Sequence, residues 1–271
     1  MIKPGHAVIK LSVPDTREFW QIPVLWEDAR LLALNKPSGL LTSPDHFDPQ
    51  RPNLITLLHR GIARGASWAR ERKLSYLANA NRLDFETSGV ILLAKDKPTL
   101  IALANQFGVE RTNRIYVAVA CGAPPRDAFA INAKLAADPA QFGLMRVDPR
   151  QGRKATTHME VAERFSGYTL LKCRPIGDRA HQIRAHLRHV RLPIVGDTRY
   201  GGPPLLLSKL KIDYRFKPNV AERPLIDWIA LHLEQLTIDH PLTGAPQTMT
   251  APWPKDLMVA VKYLRRYAAH D

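Results

Sequence analysis

Asn81-Arg82-Leu83-Asp84-Phe85-Glu86-Thr87-Ser88-Gly89 runs straight into Val90-Ile91-Leu92-Leu93-Ala94 and stops at Lys95. A short, wholly apolar run opened by glycine and closed by lysine predicts a buried strand. Asp84 then lies in a polar loop just ahead of a rigid core element, where a reactive side chain is held firmly yet can reach a cleft. Thr87 and Ser88 add hydroxyls, and Arg82 adds a cation two residues from the carboxylate. Taken alone, the same residues also suit a turn whose Asp and Ser bond their own backbone. The surrounding chain decides between the two.

Upstream, Val24-Leu25-Trp26, the acidic turn Glu27-Asp28 and Leu31–Leu34 read as a β-hairpin. It ends in Asn35-Lys36-Pro37-Ser38-Gly39, where proline and glycine stop the strand and leave Lys36 at the mouth of whatever the sheet supports. Ala7, Ile9, Leu11 and Val13 alternate as a half-buried strand. Asn53 caps a helix whose Leu54, Leu57, Leu58 and Ile62 share one face. Arg60, Arg64, Arg70, Arg72 and Lys73 around it suit either a solvated face or nucleic-acid contact.

Downstream, Pro98 fits the first turn of a helix running through Phe107, with Gly108 as its stop. Arg114–Val119 alternates as a strand, and 122–149 reads as short strands and loops. Thr156–Ala162 and Tyr168–Arg174 form a second hairpin around Ser166-Gly167. Within Gly177–Arg191, Ile183, Leu187 and Val190 make an apolar stripe at helical spacing. Arg184, Arg188 and Arg191 make a basic stripe beside it, so the helix is expected to point guanidinium groups into an adjoining groove. His181, His186 and His189 on the same segment read as hydrogen-bonding residues, because neighbouring arginines would repel a metal cation.

Pro193–Gly202 reads as a tight glycine-bounded turn, and Pro203–Pro224, with Lys209, Lys211, Arg215 and Lys217, as a basic surface excursion. Leu231–Ile238 is a strand, His240–Gly244 a turn, and Pro254 opens a last helix with Leu257, Ala260, Val261 and Leu264 inward. Strands dominate and come mostly in hairpins. The expected fold is therefore α+β: a mixed, largely antiparallel sheet with flanking helices around a central basic cleft.

The 271 residues carry 39 Lys+Arg against 25 Asp+Glu, a formal charge of +14 and a pI near 10.0. Such a surface attracts polyanions, of which nucleic acid is the usual one. Cys121 and Cys173 are isolated, which argues against a disulfide framework or a zinc site and suits a reducing compartment. Neither a signal peptide nor an apolar run of the roughly 20 residues a membrane span needs is visible. The expectation is a cytoplasmic monomer with no membrane partner and no metal.

With these pieces in place, the chain resembles the RluA-type family of RNA pseudouridine synthases from about Leu25 to Leu257. Asn35-Lys36-Pro37-Ser38-Gly39 resembles its first motif. Arg82-Leu83-Asp84 with Thr87-Ser88-Gly89 and Ala94-Lys95 resembles the catalytic motif. Arg114-Ile115-Tyr116 is similar to its basic-x-Tyr strand, and His181-Gln182-Ile183-Arg184 with Gly196-Asp197 and Tyr200-Gly201 to its late motif. Leu231-His232 and His240-Pro241 fit the C-terminal strand and turn. Three positions depart: Asn81 stands where histidine is common, Asp178 where glycine is usual, and Ala180 where threonine is usual.

The resemblance implies isomerisation of uridine in ribosomal or transfer RNA, with no cofactor. It implies Asp84 as the catalytic carboxylate, Arg184 as its electrostatic partner, and Tyr116 beside the base. Arg82, Leu83, Lys36, Ile183 and Arg188 are the expected substrate contacts. It further implies one catalytic domain over 1–271, with a short extension over about 1–23 and no S4-like domain. A non-catalytic RNA-binding protein of the same fold would be marked by loss of Asp84, Tyr116 or Arg184, and all three are present. A glycosidase-like hydrolase needs paired carboxylates, and Glu86 is the one local candidate for a second.

Overall fold

The computed structural model describes residues 8–13, 16–45, 48–216 and 219–269. In chain order the elements begin with β1 (Val8–Val13), β2 (Glu18–Glu27), β3 (Leu31–Lys36), α1 (Leu54–Ala63), α2 (Ser67–Glu71), β4 (Ala78–Asn79), β5 (Ser88–Ala94) and α3 (Lys97–Gly108). There follow β6 (Asn113–Cys121), β7 (Ala128–Asn132), β8 (Leu135–Ala137), β9 (Met145–Val147), β10 (Thr156–Phe165), β11 (Tyr168–Ile176) and α4 (Gln182–His189). The chain closes with α5 (Leu207–Leu210), β12 (Leu231–Asp239), β13 (Pro246–Thr250) and α6 (Lys255–Tyr267). The class is α+β, with largely antiparallel pairing and few helices. No helix among the described residues is long and apolar enough to cross a membrane.

Two compact units emerge, residues 1–113 with 233–252, and residues 114–232 with 253–271. In the first, strands lie in the order β1-β2-β3-β5-β12, with β13 on β12 and β4 on β5. All seven residues of β5 are buried, as its unbroken apolar run requires. β3 pairs with it antiparallel, Lys36 opposite Gly89 and Leu31 opposite Ala94. Gly89 has φ +124°, and a Cβ there would collide with the backbone of Leu233, so no other residue can open this strand. The Glu27-Asp28 turn forms because Asp28 Oδ1 accepts from the backbone of Arg30 (2.8 Å) and Leu31 (2.7 Å).

α1 starts where Asn53 Oδ1 accepts from Thr56 N (2.9 Å), and it buries Leu54, Leu57 and Leu58. α3 carries Pro98 in its first turn. Its cap is Asp96, which accepts from Thr99 N at 2.8 Å. β1 shows the expected alternation over Val8–Val13, while Ala7, with which that reading began, lies outside the described residues.

In the second unit the order is β6-β11-β10-β7, with β8 and β9 as a separate ribbon. The β10–β11 hairpin turns at Ser166-Gly167 and carries one bulge between Val161 and Glu163. Its core joins Val117, Val119, Leu171, Ile183, Leu187 and Ile194 to Leu257, Ala260, Val261 and Leu264 of α6. Val190 is 37% exposed rather than part of the apolar stripe, because it caps α4 where the chain turns away. Lys217 lies outside the described residues.

Candidate active site

Four contacts hold the loop that carries Asp84, all of them within the first unit. Thr42 Oγ1 donates to Leu83 O (2.9 Å) and accepts from Leu83 N (3.1 Å). Gly39 N donates to Phe85 O at 2.9 Å, and Thr87 N donates to Asp84 O at 3.1 Å. The Arg51 guanidinium sits 4.0 Å from the centre of the Phe85 ring. Leu83 is buried, Asp84 is half-buried, and Arg82 is exposed. The motif therefore sets a buried anchor at Leu83 beside a half-buried Asp84 whose backbone is fixed.

Asn81 explains its own departure from the resemblance. Its Nδ2 donates to Val90 O (3.0 Å), and its Oδ1 accepts from Leu92 N (2.9 Å). The amide thus presents a donor and an acceptor side by side, as a neighbouring strand would, and continues the edge begun by Ala80 N to Leu92 O (2.8 Å). A neutral imidazole has one donor and one acceptor on opposite sides of its ring and cannot bridge that pair.

Lys36 is a correction. Expected at the mouth of the sheet, its side chain is instead fully buried and donates to Pro37 O (2.9 Å) and Leu40 O (2.7 Å) of its own loop. Proline and glycine do end β3, but they fold the following segment over the ammonium. Burial pushes the Lys36 pKa down to about 7, against the opposing pull of Asp84 and then Glu86. Arg72 has likewise turned from surface to framework. It pairs with Glu27 at 3.0 Å, both side chains under 10% exposed, and Lys95 takes the other Glu27 oxygen at 2.7 Å.

In the second unit, α4 is tied down by its polar residues. Gln182 Nε2 donates to Thr156 O (2.9 Å) and Ile176 O (3.0 Å), gripping the open end of the β10–β11 hairpin. His186 is buried with Nδ1 2.8 Å from Thr157 Oγ1 and Nε2 3.0 Å from Ala133 O, so Nε2 carries the proton and Nδ1 accepts from the hydroxyl. Burial, first among its causes, pushes the His186 pKa down and keeps the ring neutral. His181 Nδ1 lies 2.9 Å from Tyr200 Oη, which also accepts from Met145 N (2.8 Å).

Arg184 departs from the expected basic stripe: Arg188 and Arg191 are exposed, and it is not. It is 1% exposed, and its fork meets Asp197, Nε to Oδ2 at 2.7 Å and Nη2 to Oδ1 at 2.8 Å. The Tyr200 ring centre lies 5.0 Å from its guanidinium carbon. Ile183, one residue earlier, is in the core of this unit. Tyr116 is half-buried on β6 opposite Cys173, packed against the same core. Sequence reading missed Asp197 as the arginine's partner, although Gly196-Asp197 stood in the late motif. It also missed that Asp178 is paired: Arg114, 5% exposed, donates Nη1 to Asp178 Oδ1 at 2.7 Å.

Residues 30–189 match the family model described as RNA pseudouridylate synthase. A Xylella fastidiosa protein named ribosomal large subunit pseudouridine synthase D is 35% identical over 98% of this chain and 78% of its own. The protein of that name from Xanthomonas campestris is 36% identical over 91% and 70%. Among solved structures, human RNA pseudouridylate synthase domain containing 4 superposes with a TM-score of 0.66 at 22% identity, covering 89% of this chain and 92% of that one. At that identity the last likeness speaks for the fold.

Proposed function

Since the chain belongs to the RNA pseudouridylate synthase family and is therefore an isomerase acting on RNA, we propose that it converts uridine to pseudouridine in ribosomal RNA, with Asp84 as the catalytic carboxylate and no cofactor. The observation that carries this reading is the mounting of Asp84: a half-buried carboxylate on a loop pinned at Leu83, Phe85 and Asn81 against a wholly buried strand. Ribosomal RNA is favoured over transfer RNA because two relatives at 35% and 36% identity bear names that specify the large ribosomal subunit. An RNA substrate of this kind places the protein in the cytoplasm, and it acts as a monomer without a metal.

The reaction breaks the N1–C1′ bond, turns the uracil and joins C5 to C1′, after which the C5 proton leaves. Asp84 acts at the ribose, either as a nucleophile on the sugar carbon or as a base that takes a proton from it. Tyr116 lies beside the base and assists loss of the C5 proton, and Arg184 keeps the reacting carboxylate charged. Arg82 and Arg188, both exposed, contact phosphates. Leu83 and Ile183 shape the surroundings from buried positions. Turning the uridine out of its stack costs a few kcal/mol, which phosphate contacts offset.

The test is a map of pseudouridines in ribosomal and transfer RNA from cells with and without the gene. Loss of one or more sites in large-subunit RNA is expected. An unchanged ribosomal RNA profile would overturn the proposed substrate.

A further inference from the structure

The first part of the basic excursion, residues 203–216, carries side chains that the chemistry at Asp84 does not use. Its α5 packs on α6, and between them lies a concavity of about 500 Å³. That size accommodates a small organic ring system such as a nucleoside. Three tyrosines line it, Tyr214 from the excursion and Tyr263 and Tyr267 from α6. The two α6 tyrosines are four residues apart, so they project to one side of the helix, and their rings stack at 5.9 Å with 17° between planes. Both border the core of their unit, yet each stays half-buried.

Three cations, Lys211, Arg215 and Arg266, share this lining with a single carboxylate, Asp213. Asp213 is 83% exposed and lies 3.7 Å from Lys211, a surface pair that does little to hold the lysine. The adjacent Arg265 is engaged by Glu163 through two nitrogens. Arg266, by contrast, forms no ion pair among the described residues and lies 5.2 Å from the Tyr267 ring centre. Arg215 likewise has no ion pair among the described residues.

Half-open aromatic rings interleaved with uncommitted cations are the chemistry that recognises unpaired nucleotides: bases stack on the rings while phosphates meet the cations. An apolar protein segment would find too many charges here, and a duplex would present no base faces to the tyrosines. We propose that this tyrosine- and arginine-lined concavity between α5 and α6 is a docking site for a single-stranded stretch of RNA, separate from the residues that act on the uridine. It rests on the reading of the chain as an RNA enzyme for the choice of polyanion.

The test uses the full chain and a short oligoadenylate, which contains no uridine and cannot react. Lys211→Gln combined with Arg266→Gln removes charge from half-exposed and exposed side chains and should leave the unfolding midpoint unchanged. In fluorescence anisotropy the pair should weaken oligoadenylate binding about tenfold and lower the slope of log affinity against log salt by about 0.7 for each phosphate no longer neutralised. Tyr267→Leu should cost about tenfold at all salt concentrations, since stacking does not depend on salt. Pseudouridine formation on a minimal uridine stem-loop should be unaffected in the double glutamine variant. Unchanged affinity and salt slope in that variant would overturn the proposal. So would polyglutamate competing as well as oligoadenylate, which would make the site a dock for an acidic protein segment. These readouts do not depend on Asp84, so an active Asp84→Asn variant would defeat the proposed catalytic role and leave this site standing.

Discussion

Removing Asp197 should damage the protein more than its distance in sequence from Asp84 suggests. Asp197→Ala leaves the Arg184 guanidinium 1% exposed and facing an empty place where two charge-assisted bonds of 2.7 and 2.8 Å had been. Breaking one side of a buried ion pair costs about 3–5 kcal/mol, because the remaining charge stays desolvated. At roughly 2–4 °C per kcal/mol for a chain of this size, the melting midpoint should fall by about 6–20 °C. Asp197→Asn retains one acceptor and should sit near the lower bound. Arg184→Leu should be comparably destabilising, whereas Arg184→Lys should recover only part, since an ammonium cannot reproduce the fork. Replacing both partners with apolar residues, Arg184→Met with Asp197→Leu, should restore part of the lost stability while leaving the enzyme inactive. Thermal and urea unfolding followed by circular dichroism reads each of these variants. A loss below about 1 kcal/mol in Asp197→Ala, or a double variant no more stable than the worse single, would refute the reasoning.

Lys36 makes stability depend on pH. Its folded pKa is about 7 against the ordinary lysine value of 10.5, so between these the unfolded chain holds a proton that the folded chain has released. Stability should therefore rise with pH through this window, by up to about 1.4 kcal/mol per unit. Lys36→Met should flatten the rise, and parallel curves for the two proteins would refute the burial argument. Thr87 has a buried hydroxyl with no hydrogen-bond partner among the described residues, so Thr87→Val should be neutral or stabilising in a melt. A loss above about 1 kcal/mol would mean that the hydroxyl is engaged. Asn81→Ala orphans Val90 O and Leu92 N and should cost about 1–3 kcal/mol for each. It should lower kcat more than it raises KM, because it loosens the loop that carries Asp84; an unchanged kcat would refute that link.

What could be read from the sequence were the features set by periodicity and punctuation. The unbroken apolar run of β5, the Asn53 cap and the inward face of α6 each follow from local chemistry, and each stands in the structure. β13 escaped notice because Pro246–Thr250 is short and polar and exists as a strand through its pairing with β12. Lys36 and Arg184 escaped for a different reason. Charged residues after a strand or on a helix face read as exposed, and only the tertiary fold supplies the carbonyls of Pro37 and Leu40, or the carboxylate of Asp197, that let them be buried. The motif aspartate could be found in the sequence, but not the clamps from Gly39 and Thr42 that hold its loop.

The most direct test of the account follows tritium at C5 of uridine in a substrate RNA with the wild-type protein and with Asp84→Asn. The substitution keeps the size of the side chain and removes its charge. Wild-type protein should release tritium to water in step with pseudouridine, with no free uracil. Asp84→Asn should bind the same RNA and release neither tritium nor base. Full activity in Asp84→Asn, or free uracil as the main product of the wild-type protein, would contradict isomerisation at Asp84.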